Sequence, residues 1–241
     1  MTEAKIPPSM PVFLSFVAGY VDSYTYLGLF GLFAAQVTGS FVIAGAEFVA
    51  HDFGIAGKLL AIVAFVIAAA ATAALIALGR NAGHAALPWM LGLEALLLAL
   101  FAAIAVFGPP IKDARDWHGI AAGLFAAMAM GAQSVLVRLL MKDIPQTNVM
   151  TGNMTQLGIA ITDIIMARRR FARSRHDAAA VAEFDRVRER LLRVLAIALG
   201  FMVGAASGAL AFATAGLRGA LVAVAIVAAM ALWAAMREER S

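Results

Sequence analysis

Asp22 is the residue most out of place in this chain. It lies about ten residues into an apolar stretch that opens at Val12. A carboxylate at the centre of a bilayer costs at least ~2.5–3.5 kcal/mol on insertion scales, so it needs a partner, a proton or water. Read functionally, Asp22 is a coupling or substrate-contact group. Read structurally, it is a hydrogen-bonded or protonated acid that locks helices together. Two triplets, Thr38-Gly39-Ser40 and Thr151-Gly152-Asn153, recur about 113 positions apart. Thr and Asn can cap a helix, and Gly lets the backbone turn or approach closely. A helix that begins in mid-membrane directs its free N–H groups and positive dipole end at a cavity. Two such starts would form a site for an anion or a carboxylate. The plainer alternative is that Gly39 and Gly152 only permit close helix packing.

Gln133 stands in a run of small residues (Gly123, Ala126, Ala127, Ala129, Gly131, Ala132) and could bond a ligand or a facing helix. Glu94 lies about seven residues inside a later apolar segment and is a second candidate to carry a proton. Glu47 and Asp163 lie near segment ends, where acids cost little. Arg138 can snorkel or pair with a membrane acid. The candidate substrate contacts are therefore Asp22, Thr38, Gly39, Ser40, Gln133, Thr151, Gly152 and Asn153, with Asp22 and Glu94 as proton-coupling candidates.

The elements that position these residues follow from composition. The chain has 241 residues; 63% are hydrophobic and 14% charged. A soluble domain would be near half apolar and about one quarter charged. Mean hydropathy is +0.87. An all-α integral membrane protein with one membrane domain over 1–241 is expected, since each spanning helix needs about 20 apolar residues. The net charge of +4 reads as basic loops that set orientation, not as nucleic-acid binding. There is no cysteine, so thiolate chemistry is excluded. His51, His84, His118 and His176 show no metal-ligand spacing. No Ser/His/Asp set, HExxH, Walker loop or dinucleotide fingerprint appears, so no enzyme and no cofactor are expected. The N-terminus, with Pro7, Pro8 and Pro11 before a long apolar stretch, does not read as a removable signal.

Along the chain, spans are expected at 12–33, 59–79, 87–107, 118–141, 194–214 and 219–236. Two glycine-interrupted segments lie at 36–50 and 147–166, re-entrant or short spanning. Gly108-Pro109-Pro110 and Lys142-Asp143 with Pro145 are stops, and a tight turn is expected near Gly216 and Arg218. The order of long span, interrupted segment and two long spans occurs twice. Two homologous halves are therefore expected, about 10–108 and 117–237, with Gly19 and Gly131 at nearly the same offset, as are Gly45 and Gly158.

Gly19-Tyr20-Val21-Asp22, Thr38-Gly39-Ser40, Gly131-Ala132-Gln133-Ser134 and Thr151-Gly152-Asn153 together resemble the YoaK family of bacterial inner-membrane proteins, a domain family of unknown function. The resemblance runs from about 10 to 236. Ser40 and Ser134 stand where that family has Asn. It implies a multi-pass inner-membrane fold and supplies no substrate.

Arg168, Arg169, Arg170, Arg173, Arg175, Arg186, Arg188, Arg190 and Arg193 place the linker 167–193 in the cytoplasm, and Lys5, Arg237 and Arg240 place both termini there. Within that linker, 178–192 can form an amphipathic helix, either on anionic headgroups or as a solvated connection. Charge does not fix the number of spans. Six spans put Arg80, Arg138 and Lys142 inside and Lys58, Lys112 and Arg115 outside; eight spans reverse both sets. Six full spans with two segments that do not cross are expected, because Gly-, Thr- and Asn-rich backbone belongs where protein or water satisfies it. The function expected is a secondary transporter or channel-like protein for a small solute, with anions among the candidates and the site between the halves. The alternative is a non-transporting scaffold or lipid-binding protein that uses the basic linker, and an intramembrane enzyme ranks below both. Small residues on many helix faces permit a homo-oligomer without requiring one.

Overall fold

The computed structural model describes residues 7–50, 54–81, 86–173 and 177–238. The fold is all-α: α1 Ser9–Gly28, α2 Val37–Ala50, α3 Ile55–Asn81, α4 Ala86–Phe107, α5 Trp117–Leu140, α6 Met150–Arg173, α7 Ala178–Ala215 and α8 Ala220–Glu238. A 3-10 turn, Gly216–Gly219, joins the last two, and Gly216 supplies a positive φ of 56°.

Four stretches are long and apolar enough to cross a bilayer: Ile55–Gly79, Ala86–Phe107, Trp117–Leu140 and Ala178–Arg237. The last contains α7, the turn and α8. Large apolar side chains on their outer faces, such as Leu78, Phe107, Leu210 and Leu232, are exposed, as lipid-facing residues are. The multi-pass expectation holds at that level. α1 is not among the four stretches. Instead of an apolar surface it has enclosure: Leu14, Val17, Ala18, Tyr20, Val21, Asp22, Tyr24 and Thr25 are buried. A helix shielded by its neighbours can hold polar groups that lipid would not accept.

The shield is chiefly α7. Gly200, Gly204 and Gly208 form a ridge one helical turn apart, and a side chain on any of them would run into the carbonyls of Val12, Phe16 and Tyr20 respectively. Contact partners rise in number together, so α1 and α7 run parallel, backbone against backbone. α3 and α5 are also parallel: Gly57 meets Ile120, and Gly131 lies against the Phe65 carbonyl. α1 and α5 run opposite ways, since Leu14 is bonded by Gln133 whereas Leu29 and Leu32 lie against Gly123. Two tyrosines of α1 anchor the far turn, Tyr20 Oη to Gly219 O and Tyr24 Oη to Gly216 O, both 2.7 Å.

Two apolar clusters lie at opposite ends. One gathers Met10, Leu14, Ile76, Met90, Leu91, Leu136, Val137, Met141 and Ala234. The start of α1, the end of α3, the start of α4 and the ends of α5 and α8 therefore meet. The other cluster contains Leu29, Leu32, Ala61, Phe101, Ala105, Ala122 and Ala220 from the opposite ends of those helices and from the start of α8.

The basic linker is not a loop over its described length. α6 continues to Arg173 and α7 begins at Ala178, so the segment expected as a connection is helix on both sides. Asp177 caps α7 by accepting from Ala179 N at 2.9 Å. The two arms fold together through stacked Phe171 and Phe184, Arg170–Glu183 at 2.7 Å and Arg190–Asp163 at 3.7 Å.

Candidate functional site

Two turns organise the polar groups. After α1 ends, residues 29–36 double back along it. Phe30 and Gly31 take positive φ, 53° and 80°, a reversal that a bulky residue rarely adopts. Thr25 Oγ1 donates to Leu32 O at 2.9 Å. The Asp22 carboxylate then receives the start of α2: Oδ1 accepts from Ala35 N at 2.6 Å and Gln36 N at 3.2 Å, and Oδ2 accepts from Gln36 N at 3.0 Å. Asp22 thus ties down, from a neighbouring helix, the two residues that lead into α2, at the end where amides and dipole favour negative charge. Ser40 closes the turn from within α2, accepting from Phe33 N and donating to Phe33 O at 3.1 Å. Lys58, buried at the start of α3, donates to Phe30 O at 3.0 Å and to Glu47 Oε1 at 2.6 Å.

The second turn, residues 141–149, repeats these features about 113 positions later. Asp143 has φ 61°. Its carbonyl accepts from Arg193 at 3.0 Å, as that of Phe30 accepts from Lys58. Asn153 donates to Gln146 O at 2.6 Å, again across seven residues. Gln133 holds the turn from α5, donating to Thr147 Oγ1 at 2.8 Å and to Leu14 O on α1 at 2.9 Å. Ser15 Oγ lies 3.1 Å from Thr147 O and 2.8 Å from Ile197 O. Asn148 Nδ2 reaches Met130 O at 3.4 Å.

Here the hydrogen-bonding is incomplete. Buried oxygens without a partner among the described residues include both carboxyl oxygens of Glu94, Gln133 Oε1, Gln146 Oε1, Asn148 Oδ1 and Thr72 Oγ1. On α4, Glu94 lies between Leu91 of one apolar cluster and Leu97 of the other; on α5, Gln133 lies between Ala132 and Leu136 of the same two clusters. Ser15 falls in the corresponding gap on α1, between Leu14 and Val17. A polar layer therefore crosses the core between the clusters. Orphaned polar atoms in a dry interior cost about 1–3 kcal/mol each, and such a cluster marks a place where water or a polar solute belongs.

The residues singled out from the sequence divide between these features. Asp22 and Ser40 belong to the first turn, Gln133 and Asn153 to the second, and Glu94 to the polar layer. Thr38, Thr151 and Gly152 are exposed on the outside of the helix starts. Gly39 serves packing, because a Cβ there would fall 2.8 Å from the Phe33 ring, whereas Gly152 meets only Val149. Asp22 and the second turn do not meet at one point. The second turn meets α1 at Ser15, and the Gln133 that holds it meets α1 at Leu14, about 10–12 Å along the helix from Asp22. Sequence reading missed Lys58, Arg193, Ser15 and Thr147. Lys58 had a signal, a lone cation near Glu47 beside an apolar run. The carbonyl contacts of Lys58 and Arg193 depend on backbone geometry and leave no residue-type trace.

Beside the second turn a groove of about 410 Å³ opens, lined by Asp143, Pro145, Gln156, Arg186, Arg190 and Arg193 among others. Residues 10–233, and so all of these features, match the family described as "Protein of unknown function (DUF1275)". The chain belongs to the DUF1275 family. Neither the curated proteins nor the solved structures hold a significant match to it.

Proposed function

We propose that this DUF1275 member is a secondary transporter or channel-like protein for a small solute, built from two inverted halves with six crossing helices and two re-entrant segments, α2 and the start of α6. One observation carries the reading: the two turns share a positive-φ residue, a carbonyl captured by a cation of the next long helix, and a seven-residue tie from the third triplet residue. Parallel packing of α1 on α7 and of α3 on α5, with α1 opposed to α5, supports inversion. The clustering of helix ends supports six crossings, with α2 returning to the side where α1 ended. The arginine-rich arms of α6 and α7 support a cytoplasmic location for that end and for both termini, in the inner membrane of a bacterium, as the likeness to the YoaK family implies. Turns that re-enter beside polar layers are a recurrent way to build transport sites at the midplane.

Within this reading the two candidate acids have different tasks. Both Asp22 oxygens accept from the amides that lead into α2, whereas among the described residues neither Glu94 oxygen has a partner. Glu94 is assigned the coupling proton and Asp22 the support of α2.

Two experiments test it. The chain has no cysteine, so single cysteines at Ala82 and Ala114 can be labelled in intact cells with an impermeant thiol reagent. Labelling at 114 and not at 82 is expected; the opposite result means eight crossings and parallel halves. In vesicles with an imposed proton gradient, Glu94→Gln should lose gradient-driven uptake while keeping exchange, and Asp22→Asn, if folded, should keep gradient dependence. Uptake by Glu94→Gln equal to wild type removes the coupling assignment.

A further inference from the structure

The two turns differ in one respect. At the start of α2 the amides of Ala35 and Gln36 bond the carboxylate of Asp22. The positions 113 residues later are Asn148 and Val149, at the start of α6, and among the described residues nothing accepts from either amide. On α5 the motif that opens with Gly131, 112 rather than 113 positions after Gly19, reaches Ser134 where the α1 motif has Asp22. The second helix start thus has the geometry of the first without its acid.

Two buried side chains share this gap. Asn148 and Gln133 are 3% and 0% exposed; their amide nitrogens bridge the turn and α5, and each leaves its oxygen unpartnered. The gap therefore offers two backbone donors suited to an anion beside two amide acceptors suited to a donor. A bare anion would satisfy only the first pair, and a cation only the second.

We infer that the start of α6 binds the carboxylate of a small solute that also carries a hydrogen-bond donor, by class an amino acid or a hydroxy acid. The Asn148 and Val149 amides hold the carboxylate as those of Ala35 and Gln36 hold Asp22, and Gln133 and Asn148 accept from the solute's ammonium or hydroxyl group. A groove lined by Asp143, Pro145, Arg186, Arg190 and Arg193 opens beside the same turn. The inference rests on the transport reading for calling the ligand a solute, and its test measures binding alone.

The full chain purified in detergent is heated with 100 mM glycine, lactate, acetate or ethanolamine at constant ionic strength. Glycine or lactate should raise the unfolding midpoint by roughly 5–10 °C if present near one hundred times its Kd; acetate should do less and ethanolamine nothing. Ser134→Asp, which restores the acid, should raise the midpoint without solute and abolish the response, whereas Ser134→Asn should keep it. If Ser134→Asp does not fold, Gln133→Leu decides, because it must reduce the glycine or lactate response to that of acetate. A wild type unmoved by all four compounds overturns the inference. So does a folded Ser134→Asp, or a Gln133→Leu, that responds as wild type does. A thermal response without vesicle uptake leaves the site standing and removes the transport reading; uptake of a solute lacking a carboxylate, with no response here, does the reverse.

Discussion

Removing the Asp22 carboxylate should release the first turn of α2, and the size of the effect follows from its bonds. Two buried or half-buried backbone amides, Ala35 and Gln36, spend their hydrogens on it. Asp22→Ala orphans both, at about 1–3 kcal/mol each, and removes a negative charge from a helix start, worth up to about 2 kcal/mol when partly buried. A total near 3–5 kcal/mol is expected, or roughly 6–20 °C in unfolding midpoint for a chain of this length. Asp22→Asn keeps one oxygen that can accept, and charge-assisted bonds are about twice as strong as neutral ones, so it should lose about half as much. Thermal unfolding of detergent-purified protein reads the global loss. A cysteine at the exposed Thr38 reads the local one, because α2 should label faster once unpinned. An Asp22→Ala variant within two degrees of wild type, with unchanged labelling, would refute the tie assigned to Asp22. Equal losses in the Ala and Asn variants would show that charge alone, and not the amide pair, is what α2 requires.

Other expectations follow from separate features. Gly204→Leu should prevent α7 from seating on α1, since its side chain would occupy the place of the Phe16 carbonyl; no folded, monodisperse protein is expected on size exclusion, whereas Gly45→Leu, in open space, should behave as wild type. Lys58→Met strands the mostly buried Glu47 and should cost about 3–5 kcal/mol, while Lys58→Met with Glu47→Gln should recover much of it in a thermal double-mutant cycle. In the loop before α5, the Lys112 amide and then that of Asp113 hold the Asp116 carboxyl below its ordinary range. A carboxyl depressed on folding stabilises above its unfolded pKa, about 3.9, and the benefit disappears as pH falls through the lower folded value. Asp116→Asn should therefore unfold earlier than wild type at pH 7 and match it in strong acid.

Much of this architecture was legible in the residues. Apolar runs closed by Gly108-Pro109-Pro110 or by Lys142-Asp143 gave helix ends within a few positions of those seen, because backbone breaks are encoded locally. The recurrence of Thr-Gly-x marked both helix starts and, through Ser40 and Asn153, the ties behind them. The triplets did not say which member faces inward: Thr38 and Thr151 turn out and the third residue turns in, a choice made by helical phase relative to a turn whose path the sequence does not state. Asp22 was recognisable as an anomaly, but its partners are backbone amides, which every residue has and none advertises. The helix expected over 178–192 is the start of α7, but the extension of α6 to Arg173 and the pairing of the two arms were not read from the residues. The linker's arginines suit a loop by composition, yet Phe171, Phe184 and the pairing of Arg170 with Glu183 suit two helices that cover each other.

The glycine ridge on α7 also bears on how the chain enters a membrane. α1 is synthesised before α7 and, too polar to rank among the lipid-stable stretches, is sheltered chiefly by a helix encoded some 170 residues later. At about 5–20 residues per second, that leaves α1 without its partner for on the order of 10–30 s. During synthesis the first helix must wait at the membrane surface, in the insertion machinery or under a temporary cover. The core is then sealed by the last third of the polypeptide, so a nascent chain truncated before Gly200 retains its most apolar helices and still has no place to put its first.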